Sequence, residues 1–205
     1  MKFTPEIPFA GGRVKPLLAQ DIDGLFALYQ QPELPGQAPL VDPEQLSRLV
    51  DISVKMAATQ RGMMWAIEID QPDSAPKILG MVSGFDWHAS QLRITLRVDA
   101  LPELSITQRQ AALTVCMNFL ETKYHVRNFA YPWIVGQNAE IKTMLTDLGY
   151  QSCAILRDAW RIGENAFADV HQFHYLSNTD KPIARRLGDD DQLGQVVNNQ
   201  QGGAS

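Results

Sequence analysis

Apolar and polar residues alternate from Leu92 to Val98, with Leu92, Ile94, Leu96 and Val98 on one side and Arg93, Thr95 and Arg97 on the other. That period of two predicts a half-buried strand. From Thr107 to Glu121 the period becomes helical. Ala112, Val115, Cys116 and Phe119 share a face, with Leu113, Met117 and Leu120 beside it, so this helix should lie buried against a sheet. The turn between them, Asp99 to Ile106, leaves the first backbone N–H groups of the helix for an anion or for water.

The same reading orders the rest of the chain. Met1 to Gly12 is a short arm with Pro5, Pro8 and Gly11-Gly12, and Arg13 to Leu18 is a brief strand. Asp21 stands as an N-cap before Ile22, Leu25, Phe26 and Tyr29 at helical spacing, and Pro32 ends that helix. Asp42-Pro43-Glu44-Gln45 announces a second helix, with Leu46, Leu49, Val50, Ser53 and Ala57 inward and Gly62 closing it. Met63 to Ile69 and Ile78 to Trp87 form an antiparallel hairpin across a polar turn. Asn128 to Val135 is a further strand, interrupted as a donor at Pro132. Asn138 caps a helix carrying Ile141, Leu145 and Leu148 and stopped by Gly149. Two last strands run over Gln151 to Ile162 and Ala168 to Leu176, and residues 177–205, polar and Gly- and Gln-rich, read as a disordered tail. The result is an α+β class, with about four helices flanking a mixed, mostly antiparallel central sheet of about seven strands.

Composition narrows the functions this fold could serve. A net charge of -5 and scattered Lys and Arg argue against a nucleic-acid partner, and no apolar run is long enough for a membrane span. Cys116 and Cys153 are too few for a disulfide framework or a cysteine-rich zinc site, so no metal is expected and both should act as small core residues. His171 and His174 fall on opposite faces of one strand and do not make a joint metal site. With no signal-peptide pattern, a cytoplasmic location is the default expectation.

From Asn138 onward the chain resembles a known family. Asn138, Leu145 and Leu148-Gly149-Tyr150 are similar to the Asn…Leu…Leu-Gly-Phe signature of the GNAT N-acetyltransferase superfamily, in the Rim-type branch that acetylates protein N-termini and small amines. Arg13 to Leu18 with Asp21, Asp23, Leu25, Phe26, Leu28 and Tyr29 resembles that branch's opening. Arg127, Asp169 and Tyr175-Leu176 match its later positions. The resemblance spans residues 13–176 and implies an acyltransferase domain between an arm, 1–12, and the tail. It implies acetyl-CoA or another acyl-CoA as co-substrate, and an amine-bearing small molecule or protein N-terminus as acceptor, the chain being a monomer or homodimer.

The site it implies is unorthodox here. The family seats the pyrophosphate of CoA on an Arg/Gln-x-x-Gly-x-Gly/Ala turn, yet this chain has no glycine between Gly84 and Gly136. Ser105, Ile106, Thr107, Gln108, Arg109 and Gln110 stand in that place, and side chains there crowd the approach of backbone to an anion. Arg109 either contacts the phosphates directly or is a solvated first-turn residue. The resemblance puts the thioester-oxygen donor at backbone N–H groups near Leu96, Arg97 and Val98, and Asn138 at the cofactor. Acyl transfer to an amine also needs a base. Asp99 and Glu103 are the candidates, with Glu68 and the Asp86-Trp87-His88 cluster qualifying by type alone. Two functions stay open: an acyl-CoA-dependent N-acyltransferase, and a non-catalytic protein of the same fold that binds a partner.

Overall fold

The computed structural model describes residues 3–177. Its elements run β1 (Ile7–Phe9), β2 (Gly12–Pro16), α1 (Ile22–Gln30), α2 (Glu44–Ala58), β3 (Met63–Gln71), β4 (Ser74–His88), β5 (Arg93–Ala100), α3 (Ile106–Tyr124), β6 (Asn128–Ile134), α4 (Glu140–Asp147), β7 (Gln151–Arg161) and β8 (Phe167–Leu176). The strands form one eight-stranded sheet in the order β1-β2-β3-β4-β5-β6-β8-β7. Every neighbouring pair is antiparallel except β5 and β6, which run parallel because α3 carries the chain back between them.

Register decides what each face carries. Trp65, Val82 and Val98 stand abreast on β3, β4 and β5, and Phe119 of α3 packs edge-on against Trp65, so this face belongs to α3. Ala66, Met81 and Asp99 stand abreast on the other face, where Tyr29 of α1 reaches the Met81 sulfur. The core therefore lies in two layers on either side of the sheet. Ala112, Leu113, Cys116, Met117 and Leu120 of α3 are all buried, whereas Val115 and Phe119 of the expected face are half-buried, so the buried side is turned toward Leu113 and Met117. Ser105 caps α3 through its hydroxyl, which accepts the Gln108 N–H, while Gln108 Oε1 accepts the Ser105 N–H in return.

Several local expectations change. Residues 7–9, inside the stretch expected as an arm, pair with β2 as β1. Asp21 does not cap α1. Its carboxylate accepts Lys15 Nζ at 2.8 Å and the Leu18 N–H at 2.9 Å, because a buried lysine on β2 offers a stronger partner than a helix amide. Cys153, expected in the core, is exposed, because β7 is an edge strand with almost no side chain covered. Cys116 is buried, and burial pushes its thiol well above the ordinary range. Beyond Ser177 the expected tail lies outside the described residues. Among those residues no helix is long and apolar enough to cross a membrane, and no cluster of His, Cys, Asp and Glu could hold a metal ion.

Lys15 also bonds Glu68 at 3.1 Å, and Glu68 pairs with Arg13, so two carboxylates and two cations close the β2–β3 end of the sheet. Burial raises the Glu68 carboxyl, but hydrogen bonds from Lys15 and Arg13 outweigh it and hold the group below its ordinary value of 4.5. A carboxyl lowered by folding contributes stability that is present above its unfolded value and is lost as pH falls through the folded one. Urea unfolding followed from roughly pH 6 down to 3 should therefore show stability falling with acid, and Glu68→Gln should flatten that fall. An unchanged slope in the variant would place the acid sensitivity elsewhere.

Candidate functional site

Strands β5 and β6 are bonded only from Arg93↔Asn128 to Thr95↔Ala130 and then part. The reason lies in one residue. The Asn128 N–H bonds the Leu92 carbonyl just before β5, and strand alternation aims the N–H groups of residues 130, 132 and 134 the same way. Residue 132 is proline, so the next bond across is missing and the strands open into a slot. As the alternation predicts, Phe129, Tyr131 and Trp133 share the face bearing Tyr175, Phe173 and His171 of β8.

The backbone donors along the slot are satisfied from within the protein. The Val98 N–H donates to the Tyr131 hydroxyl at 3.3 Å, the Ala100 N–H to Glu33 Oε2 at 3.1 Å, and the Ile134 N–H to Gln137 Oε1 at 2.8 Å. Buried amides need such partners, since leaving one unpaired costs about 1–3 kcal/mol. Burial pushes the Tyr131 phenol upward, which keeps it a neutral hydroxyl across the physiological range.

Arg109 sits at the head of the same opening and is only 3% exposed. Its guanidinium donates to the Leu104 carbonyl at 3.0 Å, the Leu101 carbonyl at 3.1 Å and Glu33 Oε1 at 2.5 Å. It is thus neither a solvated first-turn residue nor free toward an outside anion in this arrangement. A cleft of about 260 Å³ opens beside it, lined among others by Glu33, Ser105, Ile106, Arg109, Asn138 and Glu140. Ser105, Ile106 and Arg109 of one turn and Asn138, about thirty residues on, all named from the sequence, therefore meet at one place. The cleft also holds two carboxylates, Glu33 and Glu140, which oppose an incoming anion.

Asn138 stands two residues before α4, with Ala139 in the cap position, and its side chain still reaches the first helical amide. Its Oδ1 accepts the Glu140 N–H at 2.9 Å, and its own carbonyl accepts Trp133 Nε1 at 3.2 Å, tying the helix to the end of β6. Gly149, at φ +89, turns the chain out of α4 where a side chain would be strained. Thr107 and Gln110 complete the first turns of α3.

The candidate bases separate cleanly. Asp99 is buried on the face away from α3, where Arg97 donates to it at 2.9 Å. Burial raises its carboxyl above the ordinary value against the pull of Arg97 and Arg109. Beside Arg97 in register is Ser83 of β4, 3% exposed with its hydroxyl unpartnered, so this face of the sheet carries an unsatisfied polar group. Leu96 and Val98 are buried on the α3 side. Glu103 is exposed in the turn before α3, Glu68 belongs to the ion cluster with Lys15 and Arg13, and Asp86 lies near the far end of β4, at a bulge. Glu33, Gln137 and the Tyr131 hydroxyl were not singled out from the sequence. No local pattern marks them, since the Glu33 partners lie 67 and 76 residues away.

The architecture is shared with solved acetyltransferases. A ribosomal-protein-S5-alanine acetyltransferase from Vibrio fischeri superposes with a TM-score of 0.71 at 13% identity, covering 87% of this chain and 100% of that one. A GCN5-related N-acetyltransferase from Brucella melitensis gives 0.66 at 16% identity, over 85% and 82%. A spermidine N-acetyltransferase chimera with a Vibrio cholerae parent gives 0.68 at 13%, over 81% and 95%. No family model matches the chain, and no curated protein matches it. The described residues thus take the GCN5-related N-acetyltransferase fold, as expected from the sequence, with eight strands in place of about seven.

Two substitutions check the local account. Arg109→Met leaves Glu33 near-buried without its cation and should cost about 3–5 kcal/mol in urea unfolding, whereas a surface residue would cost almost nothing. Asn138→Ala removes the acceptor of the Glu140 N–H and should cost about 0.5–2 kcal/mol.

Proposed function

We propose that this chain is an N-acyltransferase of the Rim-type branch, moving an acetyl or other acyl group from acyl-CoA to a primary amine on a small molecule or a protein N-terminus. The observation that carries the reading is the slot between β5 and β6, which opens at Pro132 and shares Glu33 with the cleft at the head of α3. Proteins of the same fold named for acting on a ribosomal protein and on spermidine support an amine acceptor.

In this reading Ser105 to Gln110 and Arg109 face the pyrophosphate, and Asp99 is the carboxylate assigned to the proton of the acceptor amine. Its burial keeps its carboxyl above the ordinary value, closer to the pH at which a general base works well. The residues as seated do not accommodate CoA, because Tyr131, Glu33 and Gln137 already occupy the slot donors and Glu33 holds Arg109. The same occupancy is what the second reading, a non-catalytic protein of this fold that engages a protein partner, would carry as well.

Calorimetric titration with CoA and acetyl-CoA separates the two. The acyltransferase should bind saturably, and ligand at a hundredfold excess over Kd should stabilise it by about 2.7 kcal/mol. Absence of heat and of any thermal shift at millimolar ligand would sink the enzyme reading.

A further inference from the structure

The disagreement between the slot and the ligand it is built to hold has a specific source. Glu33 belongs to the loop between α1 and α2, and the four residues Glu33 to Gly36 cross the opening from one side to the other. On the β5 and α3 side, the Glu33 carboxylate takes the Ala100 N–H and the Arg109 guanidinium. On the β6, β7 and β8 side, Leu34 is buried with Ile134, Ala168 and Val170, and Trp160 Nε1 donates to the Pro35 carbonyl at 2.8 Å. Gly36, at φ +76, lies so close to the Ile162 backbone that a Cβ there would collide with it. The two arms of the slot have no ladder between them at this level, and this segment bridges them.

We infer that Glu33 to Gly36 is a displaceable strap, whose carboxylate stands in for an anionic ligand at the head of α3 and must leave before the cleft accepts one. This rests on the acyltransferase reading, which supplies the anion as the pyrophosphate of CoA. Three features support displacement. The strap is held at its ends by a few polar contacts and one buried leucine. It comes from a connecting loop, so once a ligand replaces the Glu33–Arg109 pair its opening need not disrupt a strand or helix. Its carboxylate and a pyrophosphate carry the same sign and compete for one guanidinium, so both cannot be seated together. The apparent affinity for CoA is then the intrinsic affinity scaled by the fraction of molecules with the strap out.

The test uses the full chain and two variants that loosen opposite ends of the strap. Glu33→Gln removes the competing charge at nearly constant shape. Trp160→Phe keeps an aromatic ring and removes the donor to Pro35 with part of the packing on Leu34, so it loosens the strap from its other end and stands as an independent probe if Glu33→Gln folds poorly. CoA binding is measured by calorimetry, and hydrogen exchange is followed at the amides of residues 34, 36 and 37 with and without CoA. Both variants should bind CoA about tenfold more tightly or better. In the wild type, saturating CoA should speed exchange at those amides, as expulsion of the strap requires. Wild-type binding with no gain in either variant and no faster exchange would overturn the strap and leave the acyltransferase reading standing. Exchange that is fast in both variants, with CoA bound by none of the three proteins, would overturn both.

Discussion

Where two neighbouring strands part inside a folded protein, the amides that faced each other still need acceptors, and that demand governs the centre of this molecule. Pro132 removes the bond that would continue the β5–β6 ladder, so the amides of Val98, Ala100 and Ile134 must find acceptors elsewhere. Each takes one side-chain oxygen: a phenol, a carboxylate and an amide carbonyl. These acceptors come from β6, from the α1–α2 loop and from the turn before α4. One parting of two strands therefore recruits three separate segments.

Arg109 follows from the same demand. A guanidinium this deeply buried needs its charge balanced and its N–H groups bonded, and the carbonyls of Leu101 and Leu104 supply only part of that. Glu33 supplies the rest, and it also satisfies Ala100. One carboxylate thus serves an orphan amide and an orphan charge, which is the double task a bound phosphate performs at a helix N-terminus. The Ser105 capping box narrows the vacancy further, since it already satisfies one of the first donors of α3.

The fold was legible because its signals are local. The alternation of Leu92 to Val98 and the face from Ala112 to Leu120 each lie within a short stretch, and the strand and helix they announce both form, although Leu92 falls just outside the strand, Thr95 is buried with its neighbours, and the buried helix face is shifted toward Leu113 and Met117. Pro132 was legible for the same reason, since a proline announces a missing donor wherever it sits. Glu33 was not. Periodicity reports what a residue does on its own strand or helix, whereas the role of Glu33 is fixed by partners that only the fold brings near. Asp21 and Cys153 failed in opposite ways. The first had a better partner in Lys15 than the helix it precedes, and the second lies on a strand whose outer side nothing covers.

The missing glycines and the seated carboxylate are best understood together. A glycine-rich turn is required where backbone must close tightly around a bulky, freely arriving anion, because Cβ atoms would stand in its way. An internal carboxylate makes no such demand. It arrives on its own side chain, contacts one amide and one guanidinium, and leaves room for Leu104 to be buried and Ile106 half-buried at the turn. The apolar residues that look like a defect for phosphate binding are, with Glu33 in place, part of the packing that holds the turn. Their side chains therefore set how far the turn must rearrange once Glu33 departs. A ligand entering that space would contact Arg109 at the head of α3 before any backbone closed around it, so side-chain charge rather than backbone enclosure would carry its recognition.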